Sequence, residues 1–149
     1  MVMRTTVAEP TSTLEHGDLV ERVQRFLRLV EARDLEAAGH YLADDVTITF
    51  PGGRRFTSLT EQVASSAGRF RSVTKTFDGF DLIEGAAGGV EAGDSVVYVY
   101  GTLRGRALDG TAFAGIRYID RFVIRDGLII DQRVWNDLAE SGALPDSSR

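Results

Sequence analysis

Two dipeptides, Asp109-Gly110 and Asp126-Gly127, constrain the fold of this chain more than any other feature. Asp-Gly favours a tight β-turn, because glycine accepts a positive φ and aspartate bonds its own backbone. Each dipeptide is flanked by runs rich in alternating β-formers, at 95–108, 111–125 and 128–136. Two tight turns in succession make these three runs an antiparallel meander. A two-residue turn at Asp109-Gly110 would set Leu108 opposite Thr111. That register pairs Asp120 with Val99, Tyr118 with Gly101 and Ile116 with Leu103, and opposed residues share a face.

Upstream the periodicity is helical. Leu19, Val23, Phe26, Leu27 and Val30 form one apolar stripe, which predicts a helix from Asp18, as N-cap, to about Arg33. A short helix is expected over 34–42, a strand over 46–50 broken by Pro51-Gly52-Gly53, a third helix over 59–70 and a strand over 73–83. Residues 1–17 read as a flexible tail, 18–140 as one domain, and 141–149 as a C-terminal tail, with mobility expected after Leu138. Three helices followed by a curled antiparallel sheet make an α+β fold. The apolar helix stripes need a partner, so the helices cover one sheet face and leave a cone whose mouth is a natural pocket.

Composition narrows the function classes. The net charge of -5 argues against nucleic acid or an anionic membrane as partner. The absence of cysteine excludes disulfides, thiolate metal sites and thiol nucleophiles. Two histidines, His16 and His40, are too few for a histidine-rich metal site, and no metal or cofactor is expected. His40, between Glu36 and Asp44, reads as an exposed, salt-bridged residue. Arg54-Arg55 after Gly52-Gly53 matches no phosphate loop and reads as a solvated segment. No apolar run is long enough to span a bilayer and the N-terminus lacks a secretory pattern, so a cytoplasmic location is the expectation.

The predicted interior face carries Val97, Val99, Gly101, Ile116, Tyr118, Asp120 and Phe122, and on the last strand Ile130, Gln132, Val134 and Asn136. Asp120 is the one carboxyl on this apolar face. Burial there is costly unless the group is bonded, protonated or paired, so Asp120 is either a satisfied structural acid or a functional group. The opposite face carries Tyr98, Tyr100, Ile119 and Trp135 among Arg117, Arg121, Asp131 and Arg133. That is more aromatic surface than a monomer usually exposes, and it predicts a homodimer through the outer sheet face.

Three segments, 41–46, 50–53 and 121–129, give the chain its likeness to a known family: Tyr41-Leu42-Ala43-Asp44-Asp45-Val46, Phe50-Pro51-Gly52-Gly53, and the run from Arg121-Phe122-Val123 to Gly127-Leu128-Ile129. On these the chain resembles nuclear transport factor 2-like (SnoaL-like) domains over about 18–140. The resemblance implies a cystatin-like cone and identifies the activity poorly, since such folds serve ketosteroid isomerases, polyketide cyclases, limonene epoxide hydrolases and noncatalytic binders. Against the isomerases, Asp120 falls on their protonated oxyanion-hole aspartate. Their general base falls on Phe50, their oxyanion tyrosine on Phe26 and a supporting tyrosine on Ala67, so ketosteroid isomerase activity is rejected. The acid on the last strand of the epoxide hydrolases falls on Val134. The cyclases' histidine and acid fall on Tyr118 and Val134.

What remains is a pocket for a hydrophobic small molecule. The expected reading is a cofactor-independent enzyme of isomerase, cyclase, dehydratase or hydrolase type, with Asp120 as acid/base beside Tyr118. Phe26, Phe50, Val99, Ile116, Phe122, Gln132, Val134 and Asn136 are the expected substrate contacts. The alternative is a noncatalytic binding or dimerisation module that has lost the catalytic set.

Overall fold

The computed structural model describes residues 16–85, 91 and 93–144, so most of the expected tail at 1–17 and most of the C-terminal one lie outside the described residues, while His16 and Gly17 of the former are helical. Helix α1 spans His16–Glu31. Asp18 is in its first turn rather than at its N-cap, where a carboxylate still suits the positive end of the helix. The helix stops at Arg33, whose φ of 64° is left-handed, and Asp34 N–H closes back on Leu29 C=O at 3.0 Å. Asp34 then caps α2 (Leu35–Gly39) by accepting from Ala37 N–H. Strand β1 (Leu42–Phe50) begins four residues earlier than the sequence pattern suggests. A 3-10 turn at Pro51–Gly53 leads into the short strand β2 (Arg54–Phe56).

Helix α3 (Leu59–Ala67) is capped by Ser58, which accepts from Glu61 N–H at 3.1 Å. It ends before Phe70, because Gly68 closes it and Phe70 opens strand β3 (Phe70–Lys75). The single strand expected over 73–83 is two, β3 and β4 (Gly79–Glu84), both on the same edge of β5 (Ser95–Ala107). Thr76 and Asp78 N–H groups still bond Thr102 and Tyr100 carbonyls across the break. Strands β6 (Ala112–Arg125) and β7 (Leu128–Asn136) complete the meander. After it, Leu138–Ser141 forms a fourth helix, α4, with Leu138 buried and Leu144 against the core, where a tail was expected.

The sheet runs β2-β1-β7-β6-β5-β3, with β4 also on β5. All pairings are antiparallel except β1 with β7, which is parallel. The predicted β5–β6 register holds, with Val99 opposite Asp120, Gly101 opposite Tyr118 and Leu103 opposite Ile116. It holds through two compensating departures. The turn has three residues, with Ala107 N–H bonded to Thr111 C=O, and a bulge near Gly115 (φ 72°) restores the pairing beyond it. On β7 a second irregularity between Val123 and Ile124 turns Ile129 into the core and leaves Ile130, expected inside, half-buried.

The core lies between the concave sheet face and the buried side of α1, where Val23, Phe26 and Leu27 meet Ile48, Val97, Val99 and Phe122. Phe26 and Phe122 meet edge to face at 6.0 Å. Gly101 and Gly105 let the β3–β4 edge fold closely over β5: a Cβ at Gly101 would collide with the Thr76 carbonyl oxygen, and one at Gly105 with that of Ser72. His40, exposed just past α2, makes no ion pair among the described residues, because Asp44 is on β1 and not on its helix.

Candidate functional site

The cone holds two chambers that share walls. The inner one, about 80 Å³, is bounded by Phe26 and Val30 of α1, Val73 and Lys75 of β3, and Gln132 and Val134 of β7. The outer one, about 200 Å³, opens at Arg54, Phe56, Ser65, Arg69 and Leu144. Phe50, Gln62, Ser66, Phe70, Asn136 and Leu138 line both. The two chambers therefore adjoin, and the smaller also reaches Glu31 and Arg33 at the end of α1.

Asp120 is fully buried, flanked on its sheet neighbours by Val99 and Val134. Neither of its carboxyl oxygens has a hydrogen-bond partner. The Lys75 ammonium is 3.6 Å from Oδ2, an ion-pair contact outside close hydrogen-bond reach, and also 5.0 Å from the centroid of the Tyr118 ring. Burial pushes the Asp120 carboxyl above the usual carboxylate range, and the Lys75 charge opposes that rise. Lys75 is fixed through its backbone: its N–H donates to Glu31 Oε2 at 2.8 Å and its carbonyl accepts from Arg28 at 3.0 Å. Lys75 lines the inner chamber, while Asp120 does not reach it.

Tyr118 does not direct its hydroxyl into either chamber; it donates to Thr76 C=O at 2.7 Å. Burial, then the nearby Asp120 carboxyl, holds its phenol well above the ordinary tyrosine range. Asn136 lines both chambers while its Oδ1 accepts from Leu138 N–H at 3.1 Å. Of the expected contact residues, Phe26, Phe50, Gln132, Val134 and Asn136 reach the chambers, whereas Val99, Ile116 and Phe122 are core beneath them.

Three polar groups at the chambers escaped the sequence reading. Lys75 had a signal: it shares strand parity with Val73 and Phe77, so a cation stands on an apolar face, as Asp120 does. Gln62 is buried at the joint of the chambers, and like Gln132 its side chain makes no hydrogen bond among the described residues. Arg54, expected in a solvated loop, is half-buried on β2, while Arg55 faces out. Among the described residues no group of three His, Asp or Glu side chains is placed to hold a metal ion, and no helix is long and apolar enough to cross a membrane.

The SnoaL-like domain model matches residues 23–132. No curated protein matches the chain. Solved structures do. A nuclear transport factor 2-like protein of unknown function from Burkholderia pseudomallei superposes with a TM-score of 0.68 at 19% identity, over 83% of this chain and 94% of its own. TerC co-crystallised with polyporic acid gives 0.67 at 20%, over 85% and 96%. ActVI-ORFA from Streptomyces coelicolor gives 0.62 at 15%, over 82% and 96%. At these identities the likeness is one of fold. With the family match running from α1 into β7 and the same curled sheet in each of these structures, the chain belongs to the SnoaL-like domain family.

Proposed function

We propose that this protein is a cofactor-independent acid/base enzyme of isomerase, cyclase or hydrolase type, acting on a hydrophobic carbonyl- or epoxide-bearing small molecule. The observation that carries this reading is the buried, unbonded Asp120 carboxyl 3.6 Å from the ammonium of Lys75, a residue that lines the inner chamber. An isolated buried carboxylate is expensive, and such perturbed groups cluster where protons are moved. Lys75, not Asp120, lines the wall. In this reading Lys75 meets the substrate oxygen as hydrogen-bond donor or acid, and Asp120 behind it accepts or returns the proton. Phe26, Phe50 and Val134 supply apolar walls, and Gln62, Gln132 and Asn136 supply amides that orient the substrate.

A second reading, a noncatalytic binder, is favoured by the internal commitment of Tyr118 and by the inner chamber's size, well under the roughly 300–1,000 Å³ of typical ligand sites. The discriminating experiment is turnover of a panel of steroid, terpene-epoxide and polyketide compounds by wild type, Lys75→Met and Asp120→Asn. Turnover by wild type that falls by about 100-fold or more in both variants is expected for a proton-transfer pair. Equal turnover in all three removes the pair from the chemistry, and binding without turnover selects the second reading.

The outer sheet face supports a homodimer proposal. Ile119 and Trp135 are 45% and 50% exposed there, directly opposite each other on β6 and β7. A second copy of this chain would cover them.

A further inference from the structure

The outer chamber carries a charge pattern that the apolar-substrate reading does not use. Arg54 and Arg69 both line it, and its walls contain no Asp or Glu. Among the described residues neither arginine has a carboxylate partner, in contrast to Arg125, which Asp94 holds at 2.8 and 2.9 Å. Arg54 is held in place by donating to Ser65 Oγ at 3.0 Å and by the rings of Phe50 and Phe56, 6.0 and 5.9 Å from its guanidinium carbon. Burial and the charge of Arg69 both pull the Arg54 proton affinity down. Two like charges have thus been brought to one half-buried, aromatic-walled mouth with no carboxylate among the described residues to neutralise them. That arrangement costs stability in the empty protein and is relieved by an anion.

We propose that the mouth of the cone is a carboxylate-binding subsite formed by Arg54 and Arg69, so that the ligand is an amphipathic organic acid, its carboxylate at the mouth and its apolar body directed toward Lys75. A planar carboxylate matches the guanidinium fork, which can give it two parallel hydrogen bonds. Phe50, Phe56 and Phe70 beside the arginines suit an aromatic or polycyclic body next to the acid group. The inference rests on the reading that the cone binds a small molecule and adds the chemical class of that molecule.

The test is calorimetric titration of the full chain with naphthoate, naphthalenemethanol and naphthyl phosphate, repeated with Arg54→Met and Arg69→Met. Naphthoate is expected to bind at least about tenfold tighter than the alcohol, as a desolvated charge-assisted pair would give. Each variant should remove most of that preference, read as the ratio of acid to alcohol affinity within the same variant. Raised ionic strength should weaken naphthoate and leave the neutral alcohol unaffected in the wild type, a readout that needs no variant. Equal affinity for acid and alcohol overturns the subsite and leaves the pocket standing. A preference that survives both substitutions also overturns it. Tighter binding of naphthyl phosphate overturns the carboxylate assignment, and binding of none of the three overturns both this inference and the pocket reading.

Discussion

Lys75 is the single cation within ion-pair distance of Asp120 among the described residues, and it lines the inner chamber that Asp120 does not reach. Because burial raises the Asp120 pKa, the folded protein holds that proton more tightly than the unfolded chain does. The stability this contributes is complete below the unfolded value, about 4, and is lost as pH rises toward the folded value. Urea unfolding of wild type and Asp120→Asn from pH 4 to 8 should show the wild type losing ground to the variant as pH increases. A difference that stays flat would refute the shift. Lys75→Met should extend the loss to higher pH and cost about 3 kcal/mol at pH 7, the low end for a broken buried pair because Asp120 can take up a proton.

Asp94 works in the opposite sense. It is almost wholly buried, and the two hydrogen bonds from Arg125 hold its carboxyl below the usual range. Its contribution is present above about pH 4 and is lost as pH falls through the depressed folded value. Asp94→Asn should therefore lower the Tm by about 2–4 °C at pH 7 and converge on wild type near pH 2, as read by thermal melts at both ends.

Gly101 sits where β5 is crossed by the Thr76–Asp78 link, and its missing side chain allows the Thr76 carbonyl to reach the Tyr118 hydroxyl. Gly101→Ala sets a methyl group against backbone, which cannot rotate away. A loss of about 3 kcal/mol or more is expected from denaturant curves, at the upper end of overpacking. A near-neutral result would mean that the link is looser than its hydrogen bonds imply.

Ser66 is half-buried on α3 and lines both chambers. Ser66→Phe should plug the joint between them. Stability should move by no more than about 1 kcal/mol, while affinity for any ligand spanning the cone falls by at least about tenfold. Unchanged affinity would show that ligands stop at the mouth.

For the outer face, sedimentation of wild type should give a dimer, and Trp135→Arg should shift it to monomer, since a charge replaces half-exposed apolar area at the centre of the patch. A monomeric wild type disposes of the dimer.

The meander was legible because its determinants are local. Asp109-Gly110 and Asp126-Gly127 fix the turns, and period-two alternation puts Asp120 and Phe122 on one face. Ile130 was misplaced because a bulge leaves no strong mark in composition. The β3–β4 break at Thr76–Asp78 and the early start of β1 depend on partners far along the chain. Lys75 was missed for a plainer reason. Its strand, expected over 73–83, was given no inward face, although Lys75 shares parity with Val73 and Phe77. Arg54 and Gln62 owe their place at the chambers to the packing of β2 and α3, which no local pattern specifies.

The parallel pairing of β1 with β7 joins Leu42 to Ile129 and Thr49 to Arg133, across more than half of the chain. As a ribosome releases the protein, β1 appears long before the strand it must lie beside, while β5, β6 and β7 emerge together and can close on their nearest neighbours. Contacts of such sequence separation are made late, because the intervening loop must be ordered first. The order of assembly is thus written into one strand direction: the C-terminal meander forms the platform, and the N-terminal strand and the helices beside it finish the cone around it. A ligand chamber walled by both halves exists only after the last residues of β7 have left the ribosome.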